Sequence, residues 1–148
     1  MYFYDFPVGR LYIEENNGFI VKISFSKINS EIKESALIKY ACNQLNEYFQ
    51  GIRKYFDIPI KPKGTEFQMK VWDKLLEIPY GETKTYKYIA ESIGLKKGYQ
   101  AIGFANKKNP LPIIIPCHRV IGIDGNLTGY IGGLEIKSKL LKTENLYK

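Results

Sequence analysis

The densest chemistry in the chain lies in the run Ile113-Ile114-Ile115-Pro116-Cys117-His118-Arg119-Val120. A cysteine reacts as its thiolate, and a neighbouring base or positive charge is what produces thiolate at neutral pH. His118 is the only histidine in the chain and stands next to Cys117, where it could take the thiol proton, while Arg119 adds positive potential. Taken alone, the triple supports two readings: a reactive nucleophile, or a small buried cysteine at the end of an isoleucine-rich strand. A Cys–His hydrolase uses the same two side-chain types but ordinarily brings them together from distant positions. Metal chemistry is restricted further. A closed structural zinc site needs about four Cys or His ligands, and Cys42, Cys117 and His118 are the only candidates. A Cys42–Cys117 disulfide is possible by count but disfavoured in a reducing compartment.

The elements that must hold this run fall into two halves, giving an α+β chain. Tyr2 to Phe6, Arg10 to Glu15 and Gly18 to Phe25 are short runs rich in Tyr, Phe, Ile and Val. Pro7-Val8-Gly9 and Asn16-Asn17-Gly18 separate them, and Asn17-Gly18 supplies the positive-φ pair of a tight hairpin. From about Glu34 to Gln50 the spacing becomes helical, with Leu37, Tyr40, Ala41, Gln44, Leu45, Tyr48 and Phe49 on one stripe and Cys42 beside it. Residues 1–57 are therefore expected to form a small strand-and-helix domain. Residues 58–63, Ile-Pro-Ile-Lys-Pro-Lys, read as an extended linker because alternating prolines forbid helix.

Residues 64–148 are expected to form a mainly helical domain. Thr65 can cap a helix through Phe67, Val71, Trp72 and Leu75-Leu76. Thr85 can cap another over Tyr86 to Ser92, closed by Gly94, and a further helix runs from Tyr99 to Lys108 before Asn109-Pro110. Two short helices across a glycine-containing turn fit a helix-turn-helix. The second is small-sided, with Phe104 its one bulky residue between Gln100 and Asn106.

Charge separates the halves in the same way. Residues 1–57 carry seven Lys/Arg and seven Asp/Glu, so the whole net charge of +7 belongs to the remainder. A basic half beside a neutral one suits a polyanion partner, although solvated lysines on helix faces give the same count. No apolar run is long enough to span a bilayer. The start, Met1-Tyr2-Phe3-Tyr4-Asp5, lacks the basic and apolar segments of a signal peptide, so cytoplasm is the expected compartment.

Pro116-Cys117-His118-Arg119-Val120 resembles the active-site signature of the O6-alkylguanine-DNA alkyltransferases. The resemblance extends through Gly64-Thr65-Glu66-Phe67-Gln68, Val71-Trp72, Ile78-Pro79-Tyr80-Gly81-Glu82-Thr83 and Tyr86. It continues in Ala101-Ile102-Gly103, Ala105-Asn106, Asn109-Pro110, Gly129-Tyr130 and Gly132-Gly133, in family order. It implies repair of DNA by direct reversal, each molecule moving one alkyl group from O6-alkylguanine in double-stranded DNA irreversibly to its own Cys117. The Cys and His count argues against a metal, no cofactor is expected, and nothing in the sequence suggests more than a monomer.

By the same resemblance, His118 takes the thiol proton through a water, Glu144 orients His118, and Asn109 braces the active-site turn. Glu144 read without the resemblance is an exposed carboxylate on a terminal helix. Tyr86 is expected to reach the guanine and help rotate the nucleotide. Tyr130, Ile131 and Gly132 are expected to cover the extruded base, with the Cys117 and Val120 carbonyls facing its exocyclic amine. Thr85, Ala101, Gly103 and Arg119 fall at positions the resemblance assigns to DNA contact. His118 and Glu144 together imply a depressed Cys117 pKa. One departure stands out: Gln100 occupies the place of an arginine that fills the gap left by the extruded base, with Tyr99 a substitute of unknown direction. Ile131 stands where serine is common. Gln100 in place of the arginine keeps open the alternative of an alkyltransferase-like protein, which binds alkylated guanine without efficient transfer, whereas Cys117 speaks against it.

Overall fold

The structure, a computed structural model, describes residues 1–148 and divides into two compact units, Met1–Lys63 and Gly64–Lys148. In the first, strands β1 (Tyr2–Phe6), β2 (Gly9–Asn16) and β3 (Phe19–Ser24) form an antiparallel meander. The β2–β3 turn uses Asn17 and Gly18 at φ 50° and 82°, the conformation that the Asn-Gly pair suggested. Ile13 pairs with Ile23 and Glu15 with Ile20, a register that skips one residue of β3. That bulge lets Ile20 and Ile23, three apart in sequence, share the face occupied by Leu11 and Ile13.

Helix α1 (Ala36–Phe49) covers that face. Ser35 caps it, its hydroxyl accepting from the Ile38 N–H at 3.1 Å. The buried stripe is Ile38, Ala41, Cys42, Gln44, Leu45 and Tyr48. Leu37 and Tyr40 lie outside it: Tyr40 is exposed, and Cys42 packs within the stripe rather than beside it. Residues 58–63 belong to this first unit, where they pair with β3. The Ile20 N–H donates to the Pro59 carbonyl at 2.9 Å, and the Lys61 N–H to the Ile20 carbonyl at 3.1 Å.

The second unit contains α2 (Glu66–Leu75), α3 (Tyr86–Ser92), α4 (Tyr99–Lys107) and α5 (Leu134–Tyr147). Thr65 and Gln68 form a capping box at the start of α2, and the Thr85 hydroxyl caps α3 by accepting from the Tyr88 N–H at 3.0 Å. Gly94 and Gly98, at φ 86° and 115°, shape the turn between α3 and α4. Two short strands, β4 (Lys84–Thr85) and β5 (Val120–Ile121), pair in parallel and fasten the start of α3 to the chain just after Cys117. Val71, Trp72, Leu75, Ile89, Ile102, Ile113, Ile115 and Leu140 make the core. No helix is long and apolar enough to cross a membrane.

Candidate active site

The three isoleucines before Pro116 do not form a strand. Ile113 adopts φ 76°, a conformation β-branched residues rarely accept, so the chain folds back on itself between Asn109 and Cys117. Asn109, fully buried, holds this loop from both ends of its amide. Its Nδ2 donates to the Ile115 carbonyl at 2.8 Å and its Oδ1 accepts from the Leu111 N–H at 2.9 Å. Cys117, His118 and Arg119 then form a single 3₁₀ turn, all three buried.

A second asparagine ties this turn to α4. Asn106 Nδ2 donates to the Cys117 carbonyl at 3.1 Å, and Trp72 Nε1 donates to the neighbouring Ala105 carbonyl at 2.9 Å. Any shift of α4 is therefore felt at Cys117. The sequence reading used Asn106 only as a motif residue. Its signal was a polar side chain on the inner face of a small-sided helix, where an amide must find a partner.

Behind the cysteine stands a buried charge cluster. His118 Nε2 donates to Glu144 Oε2 at 2.5 Å. Arg119 donates to both oxygens of the same carboxylate, Nε to Oε1 at 2.8 Å and Nη2 to Oε2 at 3.1 Å. Arg119 Nη1 donates to the Ile78 carbonyl at 2.7 Å, and the Gly81 N–H donates to Glu144 Oε1 at 3.2 Å. Glu144, 1% exposed, is no surface carboxylate. Burial alone would raise its carboxyl, but the hydrogen bonds and charges of His118 and Arg119 hold it down at about 2. Burial lowers His118, with Glu144 pulling the other way, so the ring is a neutral imidazole at neutral pH. Its Nε2–H faces Glu144, and Nδ1, without a protein partner, keeps a lone pair that can accept a proton.

Two expectations are corrected here. The Arg119 side chain, expected at a DNA contact, is instead buried and bidentate on Glu144. Cys117 does not have a depressed pKa. Burial pushes the thiol up to about 11, against the Asn109 hydrogen bond and the Lys137 charge. Desolvation of a fully enclosed sulfur outweighs one amide and one cation.

Lys137 was missed altogether. Its side chain is fully buried, and Nζ donates to the Val120 carbonyl at 2.6 Å and the Thr128 carbonyl at 2.8 Å. Burial brings it down to about 8. Lys137, Leu140 and Glu144 are the buried residues of α5, at helical spacing, so the two charges occupy the inward stripe. That stripe was the available signal. Charged residues at positions that periodicity assigns to the core are rarely left unpaired.

Around the cysteine, Tyr86 at the start of α3 donates its hydroxyl to the Thr128 carbonyl at 3.1 Å and accepts from Thr128 Oγ1 at 3.2 Å. Buried Tyr130, half-buried Tyr86 and buried Lys137 all lie close enough to Cys117 that a charge on its sulfur would shift their protonation. Ile131 is exposed and Gly132 half-buried in the turn before α5. The Val120 and Cys117 carbonyls already accept from Lys137 and Asn106, so further donors would have to share them. Thr85 spends its hydroxyl on capping α3. Gln100 and Ala101 are exposed on α4, with Gly103 half-buried between them and Phe104. Tyr86, Gln100, Gly103, Phe104, Thr128 and Gly129 line a cavity of about 400 Å³ beside α4.

Residues 66–146 match the 6-O-methylguanine DNA methyltransferase, DNA binding domain family, and residues 1–62 match its ribonuclease-like domain. The chain belongs to the 6-O-methylguanine DNA methyltransferase family. A methylated-DNA–protein-cysteine methyltransferase of Methanosarcina barkeri is 48% identical over 145 residues, covering 93% of this chain and 92% of that one. The constitutive enzyme of that name from Bacillus subtilis is 45% identical, covering 95% and 92%. The crystal structure of Mycobacterium tuberculosis OGT in complex with DNA superposes with a TM-score of 0.91 at 40% identity, covering 99% of this chain and 92% of that one. Family membership spans both units, including the first, whose sequence resembled the family only in type.

Proposed function

We propose that the protein repairs DNA by accepting the alkyl group of O6-alkylguanine on Cys117 Sγ. Methylated-DNA–protein-cysteine methyltransferase activity is the activity of the family. DNA binding by the basic second unit is supported by the likeness to OGT in complex with DNA. One observation carries the assignment to Cys117: the thiol sits on the same 3₁₀ turn as a neutral imidazole whose far nitrogen is held by an ionised, buried Glu144.

The steps follow from that arrangement. Guanine O6 is stacked within the duplex, so the alkylated nucleotide must leave the stack, at a cost of a few kcal/mol that is smaller for a damaged base. The Cys117 proton passes through a water to His118 Nδ1, and the resulting imidazolium is stabilised by Glu144. The Sγ–C bond forms in line as the C–O6 bond breaks, and the electron pair moves onto the base, which takes up a proton to become guanine. A thioether is not readily reversed, so each molecule acts once, as a monomer on double-stranded DNA. The cytoplasm suits both Cys42 and Cys117, which are free thiols.

Mass spectrometry after incubation with duplex DNA carrying O6-methylguanine tests this. One methyl group on Cys117 is expected, and none in Cys117→Ala, whose DNA affinity stays nearly intact because phosphate contacts supply it. Full uptake by Cys117→Ala with label on Cys42 would refute the assignment. Binding of the damaged duplex without any methylation would instead support the alkyltransferase-like alternative, represented by S. pombe Atl1 in complex with damaged DNA, which is 32% identical and covers 55% of this chain.

A further inference from the structure

The outer face of α4 carries one prominent apolar ring without a polar atom. Ala101 and Gly103 carry almost no side chain, whereas Phe104 stands out from the helix 64% exposed at the rim of the 400 Å³ cavity. Gln100, Phe104 and Lys107 follow each other at i, i+4 and i+7, so they form a single stripe along that face. The chain through and around α4 is basic: no acidic residue occurs between Glu91 and Asp124, while Lys96, Lys97, Lys107 and Lys108 do. The Lys108 Nζ lies 5.5 Å from the Phe104 ring centroid.

We infer that Phe104 is the wedge that enters the DNA base stack and holds the gap open when the damaged nucleotide is extruded. This rests on the repair reading above and assigns it a stacking residue.

Charge selects the partner, since a helix flanked in sequence by lysines, with no carboxylate from 92 to 123, fits a phosphate backbone. Shape selects the role. Small residues let the helix approach closely, and a lone apolar side chain projecting from such a surface is the form that intercalating wedges take. Among neighbouring residues, Gln100 offers only a short amide to a stack. Tyr99, 45% exposed, lines the same cavity but lies a third of a turn away from the Gln100–Phe104 stripe, with a hydroxyl to keep solvated. Phe104 has no polar atom to desolvate and a ring that stacks on any base. Lys108, beside the ring, brings a cation to the phosphate next to the gap.

The test measures methyl-transfer rates of the full chain on two substrates, a duplex oligonucleotide with O6-methylguanine opposite cytosine and the free O6-methylguanine base, which needs no extrusion. Phe104→Ala is expected to slow the duplex reaction by about tenfold, the loss of one base–aromatic stack, with the free-base rate retained. Phe104→Leu, an apolar wedge without a ring, should fall between. Tyr99→Ala should keep the duplex rate. Three results overturn the inference: a wild-type duplex rate in Phe104→Ala, an equal loss on both substrates, or a duplex loss in Tyr99→Ala that exceeds the one in Phe104→Ala. Failure of the wild-type chain to transfer methyl from either substrate would sink the repair reading instead, and so is distinguishable. Because Phe104 is largely exposed, Phe104→Ala should melt with wild-type protein, which confirms that a rate loss is not a folding loss.

Discussion

Glu144→Gln should separate two duties of one carboxylate. Its pKa stands at about 2 against an ordinary 4.5, so the ionised form is favoured in the fold by about 3 kcal/mol over the neutral one. A neutral glutamine forfeits that and leaves the Arg119 guanidinium buried without its counter-charge, a loss of about 3 kcal/mol, in the range for a broken buried pair. Against a usual stability of about 5–15 kcal/mol the variant still folds. The sign with pH follows from a depressed carboxyl. The wild-type contribution is fully present above about pH 4.5 and is lost as pH falls through about 2, an acid limb that Glu144→Gln should lack. The rate of methyl transfer should drop about a hundredfold, because the imidazolium formed on proton transfer loses its stabilising charge. Glu144 also raises His118, so removing it should move the acid limb of the pH–rate profile to lower pH. Pairing the change with Arg119→Met removes the stranded guanidinium, and urea denaturation should show part of the stability restored while the rate stays low. Recovery of both together would refute the reasoning, since Glu144 would then matter only as Arg119's partner.

Four other outcomes follow from the same geometry. Lys137→Met removes a buried charge whose pKa of about 8 marks a penalty of about 3 kcal/mol, offset by two charge-assisted hydrogen bonds of about 1.5–3 kcal/mol each. Denaturation should therefore show little change, while transfer slows because the 121–131 loop loses its tether; an unchanged rate would count against that role. In native protein at pH 8, Cys117 should react with iodoacetamide more slowly than a free thiol, and fast labelling would contradict the burial that raises it to about 11. Gln100→Arg should speed repair of duplex DNA with little effect on the free base, and by less than Phe104→Ala costs if Phe104 already fills the gap. Elemental analysis should find no stoichiometric zinc, and zinc whose chelation costs stability would overturn the ligand count.

What could be read from the sequence was local. Asn17-Gly18, Thr65 and Thr85 all announce their turns and caps within four residues, because the groups they satisfy lie that close. What could not be read was long-range or against type. Glu144 lies 26 residues from His118 and 25 from Arg119, and only the resemblance brought it to His118. Three isoleucines favour a strand, yet Asn109 bends them into a loop and forces Ile113 to positive φ, where tertiary hydrogen bonds override propensity. Arg119 and Lys137 look like surface cations by composition, and both are interior because each has polar partners waiting in the fold.

The buried thiol gives the last step. A sulfur with no exposure and a pKa of about 11 is a poor nucleophile toward reagents in bulk water. For a protein consumed by its first reaction, that inertness is a form of selectivity. Chemistry becomes possible only when something displaces what encloses Cys117. The Thr128 carbonyl accepts from both Tyr86 and Lys137, so a single backbone oxygen joins α3 and α5 across the site. Were a base to displace the Tyr86–Thr128 pair on entering, the net cost would be about 1 kcal/mol per hydrogen bond. Contacts that a flipped guanine makes can repay this, and a small electrophile cannot. Meanwhile His118 needs no rearrangement: it is already neutral, already aligned by Glu144, and has Nδ1 ready to accept. The acid–base machinery is thus preorganised while access to the thiol is withheld, and the substrate itself supplies the missing condition.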